Sequence, residues 1–80
     1  MTLHVLLAPE DTVVLTPREH DRLNVLSCAG GFLPEGKWTL TTTERDHILN
    51  QRLVNYFHRT GYYLTPRGER VLAMIEEVSR

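Results

Sequence analysis

Hydrophobic and polar positions change period several times along the chain, and each change predicts an element. Leu3, Val5 and Leu7 alternate in TLHVLLA, and TVVLT follows as a second β-branched run. The Pro9-Glu10-Asp11 turn between them makes a hairpin the natural reading. From Thr16 the spacing becomes helical. Thr16 suits the N-cap, Pro17 suits the first helical position because its missing N–H would be unbonded anyway, and Glu19 completes a capping box. This helix is expected to run to about Ala29 and to stop at Gly30-Gly31.

In FLPEGKW the Pro-Glu-Gly sequence predicts a turn, and KWTLT reads as a short third strand with Trp38 as a core anchor. Thr41 and Glu44 repeat the S/T-x-x-E start, so the longest helix is expected from about Thr42 to Arg59, ended by Gly61. GYYLT predicts a fourth strand. Thr65 and Pro66 then open a final helix over 66–79, with Val71, Leu72, Ile75 and Val78 as its core stripe. The expected fold is α+β, three helices with a small antiparallel sheet.

The tetrapeptide LTPR occurs at Leu15 and again at Leu64, each time where a strand gives way to a helix. Shared capping chemistry accounts for Leu, Thr and Pro without a duplication. It does not account for Arg18 and Arg67, because a cation in the first helical turn opposes the macrodipole by about 0.3–1 kcal/mol. An exposed arginine screened by Glu19 or Glu69 is one reading. The other is an anion site, since helix N-termini bind phosphate and an adjacent arginine reinforces them.

The predicted 42–59 helix carries the pattern that bears on function. At about 100° per residue, Leu49, Leu53, Tyr56 and Phe57 share one side, with His47, Gln51, Asn55 and His58 opposite and Ile48 amid the polar face. Arg45, Arg52 and Arg59, seven residues apart, form a second polar row. Arginine, glutamine, asparagine and histidine can hold phosphates or read base edges. An ordinary solvated helix face is the competing reading, but no acid follows Asp46 on this segment.

Composition narrows the classes. Eighty residues with 41% apolar content allow one small domain, 1–80, and a core that a second copy of the chain would help to complete. The net charge of −1 gives no global attraction to nucleic acid, yet Lys37 to Arg70 is locally +3 and Met1 to Gly36 locally −3. A single cysteine, Cys28, read as a small buried residue, excludes an internal disulfide and fits a reducing cytoplasm. The N-terminus lacks the pattern of a signal peptide, and no apolar run is long enough for a bilayer. The four histidines show no zinc-ligand spacing, and no nucleophile–base set occurs. A non-enzymatic chain without metal or cofactor is therefore expected.

The segment YYLTPRGERVLAMIEEV resembles the end of winged-helix regulators of the MarR and PadR kind, where a Tyr-x-Leu-Thr-x-x-Gly strand enters the dimerisation helix. Tyr62 or Tyr63, Leu64, Thr65, Pro66 and Gly68 carry that pattern. LTPREHDRLNVLSCAGG is similar to the opening of their first helix and to LuxR-type helix-turn-helix proteins. The resemblance implies a winged-helix-like domain whose 42–59 helix is the recognition helix. His47, Gln51, Arg52, Asn55 and Arg59 would then face DNA, and the 66–79 helix would mediate dimerisation. FLPEGKWTLTT departs from those families, which place a short helix there, and Arg59 to Tyr62 leaves little length for a wing.

The expected function is that of a small dimeric DNA-binding transcriptional regulator. Arg45, Arg52, Arg59 and Arg67 would hold phosphates, Gln51 and Asn55 would contact bases, and His47 would lie beside them. The alternative is a non-enzymatic adaptor or inhibitor that sets the same arginine-rich face against an acidic protein. Net charge favours the adaptor, and the Gln/Asn/Arg face favours double-stranded DNA.

Overall fold

The computed structural model describes residues 2–78 and is α+β. Its elements are β1 (Leu3–Ala8), β2 (Asp11–Leu15), α1 (Pro17–Cys28), β3 (Phe32–Pro34), α2 (Thr42–Asn50), β4 (Val54–Phe57), β5 (Gly61–Leu64) and α3 (Pro66–Val78). Strands β1 and β2 form an antiparallel hairpin, with Leu3 opposite Leu15 and Val5 opposite Val13. The other three strands form an antiparallel sheet in the order β3-β5-β4. Ser79, the last residue expected in the final helix, lies outside the described residues.

Three predicted caps are present as drawn from the sequence. Thr16 Oγ1 accepts from Glu19 N, while Glu19 Oε1 accepts from Thr16 N at 2.8 Å. Thr41 and Glu44 repeat this reciprocal pair at α2, and Thr65 Oγ1 accepts from Gly68 N at 3.0 Å in α3. Helix α1 also ends where expected. Gly31 N donates to Leu26 O and Gly30 N to Ser27 O, both at 3.0 Å, and Gly30 takes φ +87°. These two bonds are a Schellman closure, for which glycine at the left-handed position is the usual residue.

The long helix expected over 42–59 does not exist. Helix α2 stops at Asn50, through the same closure that ends α1 but with Arg52 at the left-handed position (φ 60°). Leu53 N donates to Ile48 O at 3.3 Å and Arg52 N to Leu49 O at 3.0 Å. A left-handed arginine costs about 1–2 kcal/mol, and the rest of the fold offsets it. Leu53 is fully buried beside buried Ile48. Thr65 Oγ1 donates to Arg52 O and Leu53 O, and Arg67 Nε donates to Gln51 O at 2.8 Å. The first turn of α3 thus caps the end of α2, and VNYF continues as strand β4, to which its β-branched and aromatic residues are suited.

Other expectations are corrected with it. The third strand is Phe32–Pro34, whereas Lys37–Thr41 is turn and irregular chain. Trp38 is nonetheless a core anchor: its ring lies 5.0 Å from that of Tyr62, and its Nε1 donates to Arg22 O at 2.8 Å. Ile48 is buried with Leu23, Leu26, Leu53 and Val71 rather than facing solvent. Cys28 is exposed, because it sits on the outer side of the last turn of α1. Val78, placed in the α3 core stripe, is 83% exposed, while Val71 and Leu72 hold the core. Among the described residues no helix is long and apolar enough to cross a membrane.

Candidate nucleic-acid interface

Breaking the long helix redistributes the predicted site residues into three environments. His47 on α2 and Gln51 at its C-cap, one turn apart, are part-buried and turn toward α1 and the hairpin. His47 Nδ1 lies 2.7 Å from Oε2 of Glu19, whose carboxylate is almost wholly buried and also caps α1. Gln51 treats β2 as a sheet partner would. Its Oε1 accepts from Val14 N and its Nε2 donates to Val14 O, both at 2.8 Å. Thr16, Glu19, His47, Gln51 and Val14 therefore form one polar chain joining α1, α2 and the hairpin.

The amide of Gln51 is thereby spent on structure. Gln51→Ala is expected to cost about 1–2 kcal/mol, because two half-buried backbone groups lose their partners and water replaces them only in part. Faster hydrogen exchange at the Val14 amide, with the β5 amides unchanged, is the expected signature. Unaltered exchange at Val14 would show that the clamp is dispensable.

Both LTPR arginines are ion-paired, which supplies what capping alone did not explain. Arg18 Nε sits 2.8 Å from Glu44 Oε2, linking the first turns of α1 and α2. Arg67 grips Asp11 with two nitrogens, Nη1 to Oδ2 and Nη2 to Oδ1, while its Nε holds Gln51 O. The Arg67 bonds keep the Asp11 carboxyl below its ordinary value against a smaller desolvation effect, and Asp11 raises Arg67 in turn. The Thr41 N–H, ahead of Arg18, likewise lowers Glu44. Arg67 thus ties the hairpin and α2 to α3.

The remaining residues are more available. Arg45 is half-exposed on α2 near Asp46, with the buried Tyr62 beside it raising its pKa. Arg52 and Arg59 are exposed at the two ends of β4, both with positive φ, and neither side chain has an ion-pair partner among the described residues. Arg59 forms part of the tight His58–Thr60 turn, and its backbone N–H donates to Glu35 Oε2 at 2.9 Å. Tyr56 Oη donates to the other oxygen of Glu35 at 2.8 Å, and these two bonds, Tyr56 foremost, hold Glu35 below its ordinary value. Asn55 is exposed on β4 opposite Tyr63, away from α2. The structure therefore does not assemble one stripe from Arg45, Arg52 and Arg59, nor one row from His47, Gln51 and Asn55.

The sequence pattern put Phe57 on the apolar side of the expected helix with Leu49, Leu53 and Tyr56 and gave Tyr63 no exposed role, but both rings are exposed. Once β4 and β5 are strands, their alternation puts both on the open side of the sheet; a helical period hides that. Among the described residues no group of three His, Cys, Asp or Glu side chains is placed to hold a metal ion. No protein-family model, curated protein or solved structure matches this chain.

Proposed function

We propose that the protein is a small cytoplasmic DNA-binding regulator that acts as a homodimer. The observation that carries this reading is the passage from α2 through the Arg52 turn into the β4–β5 hairpin, with β3 as the third strand in the order β3-β5-β4. A helix followed at once by a hairpin that folds back beside it is the working arrangement of a winged helix. In this reading α2 enters the major groove by its exposed Thr43, Asp46 and Asn50 side, and the His58–Thr60 turn is a short wing. Arg45, Arg52 and Arg59 then hold phosphates at the helix, at its end and at the wing tip, positioning the protein without reading sequence. His47, Gln51 and Arg67 contribute by fixing the scaffold.

Three such cations set the magnitude of the test. Anisotropy of labelled random-sequence duplex, titrated at several salt concentrations, should give a log K against log salt slope of about −2.7 per protomer. Arg52→Ala should make that slope about 0.9 shallower and weaken all sequences alike. No binding at low salt by the folded protein would remove the reading.

In this reading a second copy docks on the hollow of about 370 Å³ between β1 and the end of α3, lined by Leu3, His4, Val5, Leu6, Met74, Ile75 and Val78. Leu6 is 55% exposed there, and β1 has a strand neighbour, β2, on one side. Apolar side chains left open on so small a domain favour association. Sedimentation equilibrium should find a dimer that Leu6→Asp converts to monomer without loss of helix content; an unchanged dimer would place the contact elsewhere.

A further inference from the structure

The three-stranded sheet has one face against the helices and one open to solvent. Val54, Tyr62 and Leu33 face inward, toward the core. Strand alternation and register then place Phe32, Pro34, Asn55, Phe57, Gly61 and Tyr63 on the open side. Its large apolar groups are rings. Phe57 is 52% and Tyr63 39% exposed. Phe32 and Tyr63 have centroids 4.6 Å apart and tilted, and Tyr63 and Phe57 meet edge to face at 5.3 Å. Gly61 makes this layer possible. A Cβ there would stand 3.0 Å from Phe32 Cε1 and 2.3 Å from Leu33 O, so only a bare backbone lets the Phe32 ring lie across the central strand.

The chemistry around the rings is that of a nucleobase site. A shallow hollow of about 420 Å³ is lined by Asn55, Phe57, Thr60 and Tyr63, so an amide and two hydroxyls border the aromatic floor. No carboxylate occupies an outward position on the three strands. The nearest acid in sequence, Glu35, already accepts from Tyr56 Oη and Arg59 N. In the turn that joins β4 to β5, Arg59 supplies an exposed cation without an ion-pair partner among the described residues. Arg52, before β4, borders a separate hollow with Asp11, Asn50, Gln51 and Arg67. Rings for base faces and an amide for a base edge meet on β4 and β5, beside a cation complementary to phosphate in the turn between them.

We propose that the open face of β3-β5-β4 binds single-stranded nucleic acid. Bases stack on Phe57 and Tyr63, Asn55 pairs with the edge of one base, and Arg59 holds a flanking phosphate. Duplex DNA hides its base faces, so base stacking here is separate from the groove contacts proposed for α2, and the two share only the phosphate contact of Arg59. Aromatic stacking is tolerant of sequence, and the Asn55 amide gives a preference for adenine.

The test titrates fluorescein-labelled oligo-dA and oligo-rA of about 12 nucleotides, within the span of a single-strand site, into the wild-type protein, with a hairpin duplex in parallel. One phosphate contact predicts a slope near −0.7, which is about a 2.6-fold loss between 50 and 200 mM salt. Phe57→Ala and Phe57→Leu should each weaken single-strand binding at least about fivefold while the protein remains folded and duplex affinity is unchanged. Binding by either strand supports the proposal, and the ratio of the two identifies DNA or RNA as the natural ligand. Wild-type affinity in Phe57→Leu would show general apolar contact and overturn stacking. Absence of binding by both strands to folded protein would overturn the proposal and leave this face to a protein partner.

Discussion

Gly68→Ala is expected to lower the melting temperature by about 10 °C or more, although alanine is the better helix former. Helix propensity alone would favour the substitution by about 1 kcal/mol. The site reverses the sign. Gly68 lies buried in the first turn of α3, and a Cβ there would meet Leu53 O at 2.3 Å and Leu64 Cδ1 at 2.6 Å. Leu53 O cannot retreat freely, because Thr65 N and Thr65 Oγ1 both donate to it. Forcing a methyl into such a contact costs about 1–3 kcal/mol or more, and each kcal/mol moves a domain of this size by about 4–8 °C. Gly30→Ala is the control. Unlike helical Gly68 it has positive φ, which strains an alanine, but nothing lies within 4 Å of its Cβ position. Thermal melts should rank Gly68→Ala well below Gly30→Ala, and equal melting would mean that α3 does not approach the Leu53 carbonyl.

Ile48→Ala is expected to cost about 2–5 kcal/mol, the range for truncating a fully buried aliphatic side chain. A domain of this length has a total stability of about 4–12 kcal/mol, so the variant loses a large share of it and melts broadly or unfolds. The comparison with Leu49→Ala is the sharper measurement. A helix continuing to Arg59 would bury Leu49 and expose Ile48. The observed α2 buries Ile48 completely and leaves Leu49 partly covered. Urea unfolding of both variants should find Ile48→Ala the more damaging; the reverse order would restore the long helix.

The repeated LTPR shows how far local chemistry carries. Leucine, threonine and proline have roles that neighbours in sequence determine, and both copies take them. The arginines have roles that only distant residues determine. Arg18 pairs with Glu44 and Arg67 with Asp11, partners 26 and 56 positions away. The candidate site divides in the same manner. Arg52, Asn55 and Arg59 were legible as exposed polar residues, and they are exposed. Gln51 carried no sign that its amide would replace a strand against β2, nor His47 that it would meet a buried glutamate.

By itself the sequence determined the hairpin, three helix starts, the glycine stop of α1 and the α+β class. Those depend on caps and alternation, which act over two to four residues and leave marks at fixed spacing. Tertiary structure alone decided where α2 ends. The segment from Gln51 to Phe57 has a passable helical period and no glycine or proline to break it. Its left-handed turn at Arg52 is stable because Leu53 enters the core and α3 caps the freed carbonyls, two interactions that exist only once the chain has folded. From that one turn follow strand β4, the burial of Ile48 and the open aromatic face.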